Sequence, residues 1–131
     1  MSYRWVDHTA ELGLEIQAQT PEAVFLEALR ALGELLGAGG PGEQIRRPIR
    51  AEGSDRAALL AAWIDELVYL AETEDLVPED VETIELSERE LQATVCGYRG
   101  SPRHLVKGAT YHELMFERSR SGYHATVVLD V

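Results

Sequence analysis

The sequence predicts a single α+β domain, residues 1–131, with two helices packed on a largely antiparallel or mixed β-sheet. One reason is the order of the predicted elements, which is strand, helix, strand, helix and then four strands. A second is that hydrophobic periodicity changes between a period of two residues and one of 3.6. A third is size, because 131 residues with 45% hydrophobic content can build one core and are too few for two.

The first strand and the first helix follow each other directly. Apolar residues alternate with polar ones in this strand, and its core-facing side consists of Leu12, Leu14, Ile16 and Ala18. Thr20 and Pro21 then favour a helix start, because a hydroxyl caps free N–H groups and proline fits the first helical position. Gly37 and the glycine-rich run 39–42 end this helix.

An edge strand and a longer helix come next. Residues 44–52 alternate in polarity but contain Pro48, which cannot donate a hydrogen bond to a neighbouring strand, so we expect an edge position. Ser54 or Asp55 caps a helix from Arg56 to about Glu72, and its apolar stripe includes Trp63 as a core anchor.

The C-terminal half predicts four strands in two hairpin-like pairs. The second pair is joined by Ser119-Arg120-Ser121-Gly122, which is typical of a hairpin turn. Glycine, proline and polar residues separate the runs, as turns require. The strand order does not follow from the sequence. The predicted strands are Val81 to Leu86, Leu91 to Val95, Leu105 to Glu117 and Tyr123 to Val131.

The composition limits the classes of partner. Twelve Lys and Arg against 23 Asp and Glu give a net charge of −11. This charge repels phosphate backbones, so we expect no strong direct nucleic-acid binding, whereas a basic protein or a hard cation gains from it. No segment has the apolar length of a membrane span, and the N-terminus shows no export signal. We therefore predict a cytoplasmic protein with no membrane association.

The cysteine content agrees with a reducing compartment. Cys96 is the only cysteine, so it cannot form an intramolecular disulfide or a zinc site with a second thiol. Its neighbours Val95 and Gly97 predict an inert, buried thiol.

A dense polar cluster, Asp7-His8-Thr9-Ala10-Glu11-Leu12-Gly13, precedes the first predicted strand. The last predicted strand stops at Asp130 and Val131, so a side-chain carboxylate and the chain terminus are adjacent. If the first and last strands are neighbours, the carboxylates of Glu11, Asp130 and Val131 converge. An all-oxygen site of this kind suits Ca²⁺ or Mg²⁺ better than zinc.

Simpler interpretations of the same residues stay open. Glu11 is equally consistent with a solvated acid at a strand start, and terminal carboxylates usually lie in water. His8 is consistent with a ligand, a proton carrier or a buried imidazole that Asp7 or a backbone carbonyl satisfies. Lys107 and His112 belong to a second polar run, residues 107–112, and an ordinary exposed position explains Lys107 as well.

An enzymatic alternative is a small metal-dependent phosphoester hydrolase with His8 or His112 as its base, because histidine titrates near neutral pH. No nucleophile paired with a base can be identified, and phosphate-binding loops, paired cysteines and nucleophile elbows are absent from the sequence. A third alternative is a structural adaptor without a metal.

Three motifs together resemble the archease family. They are Asp7 to Gly13, then Lys107-Gly108-Ala109-Thr110-Tyr111-His112, then Asp130-Val131, in the same order and spacing as in that family. The resemblance extends over the whole chain and includes Trp63-Ile64-Asp65-Glu66-Leu67 and Glu72-Thr73-Glu74.

The resemblance implies a function and a set of site residues. Archeases are small acidic accessory proteins of the GTP-dependent, RtcB-type RNA-splicing ligase, used in tRNA splicing and RNA repair. They promote guanylylation and multiple turnover of the ligase and do not catalyse ligation. The family's metal ligands correspond to Glu11, Asp130 and Val131, with Ca²⁺ or Mg²⁺ as the cofactor. Further candidates for partner contact or site support are Asp7, His8, Lys107, Tyr111 and His112.

Two positions depart from the family pattern. The family usually has aspartate where this chain has Glu11, and the additional methylene moves the carboxylate. Gly108 stands where alanine is frequent, and we expect this difference to affect strand stiffness more than function.

Overall fold

The computed structural model describes residues 2–8, 11–37, 42–100 and 106–131, apart from the side chains of Asp7 and His8. The order of elements confirms the predicted α+β class. The elements are β1 (Ser2–His8), β2 (Glu11–Ala18), α1 (Pro21–Leu36), β3 (Gln44–Glu52), α2 (Arg56–Glu74), β4 (Leu76–Leu86), β5 (Glu90–Arg99), β6 (Gly108–Ser119) and β7 (Gly122–Asp130).

The strands form two antiparallel sheets, whereas the sequence predicted one. Sheet A has the order β1-β2-β7-β6, and sheet B has the order β3-β5-β4. β1 was not predicted, because its alternation rests on only two aromatic residues, Tyr3 and Trp5, which contact the core. The edge position predicted for β3 is confirmed, and its bounds are those expected.

Both helices and both sheets contribute to one hydrophobic cluster. Trp63 is 0% exposed within this cluster, as predicted, and its Nε1 donates a hydrogen bond to the carbonyl oxygen of Phe25 at 2.9 Å. The Phe25 and Trp63 rings pack edge to face, 6.4 Å apart. On β2, Leu14, Ile16 and Ala18 are buried as expected. The two helices are therefore held against the sheets by apolar burial, the main driving force for folding.

Side chains cap both helices at their N-termini. The Oγ1 of Thr20 accepts a hydrogen bond from the Ala23 N–H at 3.2 Å, as predicted. Of the two candidate caps for α2 it is Asp55 that acts, since its Oδ1 accepts from the Ala58 N–H at 2.8 Å. These contacts satisfy N–H groups that have no partner inside the helix.

Several boundaries differ from the prediction, and β5 in particular extends to Arg99. α2 continues to Glu74 and ends at Asp75, which has a left-handed φ of 55°. β4 starts at Leu76, so Pro78 lies inside an edge strand, where a missing N–H is tolerated. β6 begins at Gly108. The predicted start at Leu105 falls outside the described residues.

Cys96 is half-buried on sheet B and not fully buried as predicted, with its Sγ 3.6 Å from Glu82 Oε2. Burial, and then the hydrogen bond and negative charge of Glu82, raise the pKa of this thiol. Less thiolate is therefore present at a given pH than for a free cysteine, and the thiolate is the reactive form.

The raised pKa predicts the pH dependence of Cys96 alkylation. We expect the rate of alkylation by iodoacetamide to rise at a higher pH in the folded chain than in the urea-unfolded chain. Glu82→Gln should shift the profile of the folded chain to lower pH. Coincident pH profiles of the folded and unfolded chains would contradict this expectation.

Candidate functional site

The ends of all four strands of sheet A meet in one row. Across neighbouring strands, His8 pairs with Glu11, Glu11 pairs with Asp130, and Asp130 pairs with Gly108. We call these four residues the terminal row. The first and last strands of the prediction correspond to β2 and β7. The prediction that they are neighbours, with residues 11 and 130 together, is confirmed by this register.

Glu11 and Asp130 share one face of sheet A, because directly opposite residues in antiparallel strands project to the same side. Their neighbours Leu12 and Leu129 also pair and face the core, so the two acids occupy the outer face. Both acids are half-buried. Like charges directly opposite each other destabilise a sheet. The pair therefore does not serve sheet stability.

Val131 follows Asp130 directly and is 41% exposed. Val131, the third predicted ligand, thus lies one residue from the Glu11–Asp130 pair. Together these groups offer only oxygen donors, which Ca²⁺ and Mg²⁺ prefer over nitrogen or sulfur. Among the side chains that the structure describes, no three from His, Cys, Asp and Glu are close enough to hold a metal. Of the three predicted ligands, only Glu11 and Asp130 have such side chains, because Val131 was predicted to bind through its terminal carboxylate.

The start of β6 is held in place by two hydrogen bonds that its backbone N–H groups donate. The N–H of Lys107 donates to the Asp130 carbonyl oxygen at 2.8 Å. The N–H of Ala109 donates to Oδ1 of Asp65, on α2, also at 2.8 Å. In the sequence, only the place of Asp65 in the motif Trp63 to Leu67 could have indicated a role. It anchors the segment that borders the terminal row.

Gly108 has a conformation that disfavours other residues. Its φ is +153°, and a Cβ at this position would lie 2.8 Å from Asp65 Oδ1. We expect Gly108→Ala to lower the free energy of unfolding by about 1–3 kcal/mol through backbone strain. Urea denaturation measures this change. In an Asp65→Ala background, the part of this loss that comes from the contact of the new Cβ with Asp65 should disappear. The part that comes from backbone strain should remain. Equal stability of Gly108→Ala and the parent chain would contradict this account.

β6 bulges just after the terminal row. Thr110 pairs with Val128 and Met115 pairs with Thr126, so residues 111–114 lie opposite one residue, 127. Glu113 accordingly has a left-handed φ of 56°. Extra residues of this kind redirect side chains and are frequent beside functional sites.

The bulge exposes two of the predicted contact residues. Tyr111 is 72% exposed, and His112 is exposed with its Nε2 3.8 Å from Glu113 Oε1. Beneath them, the Oγ1 of Thr110 is buried and has no hydrogen-bond partner within the described part of the chain. Thr110 pairs with Val128, two residues along β7 from Asp130.

The remaining predicted residues have distinct positions. Lys107 is exposed and makes no ion pair with a described residue. The backbones of Asp7 and His8 form the end of β1, but their side chains are outside what is described, so the alternatives for His8 stay open. β1 and β6 are the two edges of sheet A, separated by β2 and β7. His8 is therefore roughly three strand spacings, about 14 Å, from the strand that carries His112.

None of the helices in the described ranges is long and apolar enough to cross a membrane.

Comparisons with known proteins agree with the resemblance found in the sequence. Residues 3–131 match the archease protein family. The chain is 33% identical to the protein archease of Methanopyrus kandleri over 142 residues, covering 100% of both chains. It is 30% identical to that of Archaeoglobus fulgidus over 138 residues, again covering 100% of both.

Solved structures show the same architecture. The solution structure of protein 1598 of Methanobacterium thermoautotrophicum superposes with a TM-score of 0.72 at 26% identity, covering 99% of each chain. The crystal structure of an archease from Thermotoga maritima, described as a possible chaperone, gives a TM-score of 0.68 at 25% identity. It covers 96% of this chain and 94% of that one. From its sequence and its fold alike, the chain belongs to the archease family.

Proposed function

We propose that this archease is a non-enzymatic activator of a GTP-dependent, RtcB-type RNA ligase, promoting guanylylation and multiple turnover in the cytoplasm. The observation that carries the proposal is the pairing of Glu11 with Asp130 beside the chain end. Two carboxylates held opposite each other cost stability. Two facing carboxylates are therefore expected where they bind a cation or a partner, and not where they only contribute to folding.

The charge of the molecule supports a protein partner with a basic surface. A net charge of −11 favours docking on a basic protein surface, and it disfavours direct binding to the RNA. In this proposal the acidic body docks on a basic rim of the ligase. The end of sheet A that carries the terminal row then points towards the ligase's nucleotide site. The exposed Tyr111 and His112 of the β6 bulge are placed to contact the ligase beside it.

In this proposal, the residues in and around the terminal row have two different roles, which are ion binding and positioning. Glu11, Asp130 and Val131 would hold a Ca²⁺ or Mg²⁺ ion, which when bound supplies a hard positive charge that can neutralise phosphate oxygens. Asp65 fixes the start of β6 through Ala109, and Lys107 fixes the end of β7 through its N–H. These contacts preorganise the carboxylates, which matters because phosphoryl transfer depends on positioning and charge neutralisation.

The direct test uses the cognate ligase. Ligase guanylylation and multiple-turnover joining of RNA are measured with and without the chain, at fixed GTP and divalent-ion concentrations. We expect faster guanylylation and joining beyond the first turnover when the chain is present. Absence of stimulation, with a ligase that is active alone, would refute the proposal.

A second measurement distinguishes the activator from the alternative, a phosphoester hydrolase. The purified chain without ligase is incubated with phosphoester substrates and divalent ions. We expect no turnover, because the exposed His112 contacts only Glu113 among the described carboxylates, and no nucleophile lies in that contact. Turnover that is lost in His112→Ala would favour the hydrolase instead.

A further inference from the structure

Among the described residues, the arginines without an ion pair lie together at one end of the molecule. Ion pairs with acids involve Arg4, Arg30, Arg46, Arg47, Arg50, Arg56 and Arg99. Within the described residues, the arginines outside any ion pair are Arg89, Arg118 and Arg120. All three lie at the β4–β5 and β6–β7 hairpins. This clustering is unexpected in a chain of net charge −11.

The fold brings these two hairpins to the start of α2. A cavity of about 230 Å³ is lined by Arg56 from α2, Glu88 from the β4–β5 hairpin, and Arg118 and Tyr123 from the β6–β7 hairpin. The N–H of Gly53 donates to the Arg89 carbonyl oxygen at 3.0 Å, which ties the β4–β5 hairpin to the segment before α2. Three separate parts of the sequence thus form one arginine-lined cavity.

Arg56 has unused hydrogen-bonding capacity in this cavity. Its Nε is buried and has no acceptor among the described residues. Among the described residues, its one ion pair is a 3.4 Å contact with Glu88, whose side chain is 76% exposed. The other acid in the lining, Asp55, already caps α2 through Ala58. A buried guanidinium donor without an acceptor is unfavourable, so an oxyanion that enters the cavity and displaces part of its lining would satisfy it.

We propose that this cavity binds one phosphate group between Arg56 and Arg118. Guanidinium groups match phosphate oxygens in geometry and form charge-assisted hydrogen bonds with them. The small volume suits a single phosphate group, and Arg89 and Arg120, on the same two hairpins, add positive charge that attracts an anion. Because Glu88 is exposed and makes only a long contact, it moves away and the phosphate takes its place on Arg56.

This site is independent of the terminal row. β7 runs from Gly122 to Asp130, so Tyr123 and Asp130 are seven residues apart along one strand. At about 3.3 Å per residue, the cavity is roughly 23 Å from the paired carboxylates. Phosphate binding is measured on the chain alone, so its failure would leave the proposed activator function untouched.

The test is a titration of the ¹⁵N-labelled chain with inorganic phosphate at low ionic strength, followed by amide chemical shifts. We expect saturable shifts at the start of α2 and in the β6–β7 hairpin. Arg118→Gln should weaken binding about tenfold or more, as loss of a charged hydrogen-bond partner implies. Glu88→Gln should strengthen it about two- to fivefold, because it removes the competing carboxylate.

Arg46→Gln is the matched control, since it removes the same charge from an exposed arginine that is paired with Glu82 on sheet B. It should leave the affinity unchanged within about twofold. No saturable shift in the parent chain would overturn the site. Equal weakening by Arg118→Gln and Arg46→Gln would also overturn it, because binding would then reflect net charge alone.

A second titration identifies the source of the phosphate. A short RNA with a 5′-phosphate is compared with the same RNA ending in a 5′-hydroxyl and with inorganic phosphate. Tighter binding of the phosphorylated RNA than of inorganic phosphate assigns the site to RNA ends. Equal binding of the two assigns it to free phosphate. Equal binding of both RNAs, with no response to Arg118→Gln, would contradict the proposal.

Discussion

Replacing Asp130 with alanine is expected to abolish stimulation of ligase guanylylation while leaving the fold intact. Asp130 holds sheet A together through its backbone, whose carbonyl oxygen accepts from Lys107 N–H, and alanine preserves that bond. Its carboxylate makes no hydrogen bond or ion pair with another described residue. Without a divalent ion, loss of the charge opposite Glu11 should therefore leave stability unchanged or raise it by about 0.2–1 kcal/mol.

Two measurements check this result. Guanylylation and multiple-turnover joining are compared for the parent and the Asp130→Ala chains, and urea denaturation confirms that both are folded. Glu79→Ala is the control, since Glu79 is an exposed acid on sheet B and its removal changes the net charge equally. Full stimulation by folded Asp130→Ala would remove the terminal row from the mechanism. Equal loss in Glu79→Ala would show that only overall charge matters.

Trp63→Ala is expected to have the largest effect on stability. The side chain is 0% exposed, stacks edge to face on Phe25 and donates a hydrogen bond to the Phe25 carbonyl oxygen. Removing a buried aromatic side chain costs about 3–5 kcal/mol, because transfer energy is lost and a cavity is left. The midpoint of thermal unfolding should fall by roughly 10–20 °C.

Tyr69→Ala is the matched control for this prediction, because Tyr69 is on the same helix and is 60% exposed. Its removal should change the free energy of unfolding by no more than about 0.5 kcal/mol. Comparable losses in the two variants would mean that Trp63 does not anchor the core. Trp63→Phe should fall between them, since it keeps an aromatic ring and loses the indole N–H.

The sequence predicts the elements that carry strong periodicity and end signals. Both helices have a capping side chain, and β3 has Pro48 as an edge signal, so their starts were predicted correctly. β1 was missed because two aromatic residues do not establish a pattern. The division into two sheets could not be predicted, since strand order depends on long-range packing that local patterns do not encode.

The candidate site could also be predicted in part, where local patterns in the sequence indicated it. Clustered acids at the two ends of the chain indicated convergence, and the register of β2 with β7 brings Glu11 and Asp130 together. The metal itself stays a prediction. The contact of Asp65 with Ala109 could not be foreseen, because it joins residues 44 positions apart and Asp65 resembles an ordinary solvated acid. The β6 bulge likewise has no sequence signal, since Glu113 adopts a left-handed φ without being glycine.

The position of β7 has a consequence for biosynthesis. This strand is the last element of the fold, yet it is an inner strand with β2 on one side and β6 on the other. On the ribosome, the β1–β2 hairpin and β6 therefore share no partner until residues 122–130 leave the exit tunnel. Until then the nascent chain presents unpaired strand edges, which favour aggregation. Sheet A is completed only after translation has passed its final strand, so the acidic terminal row forms last.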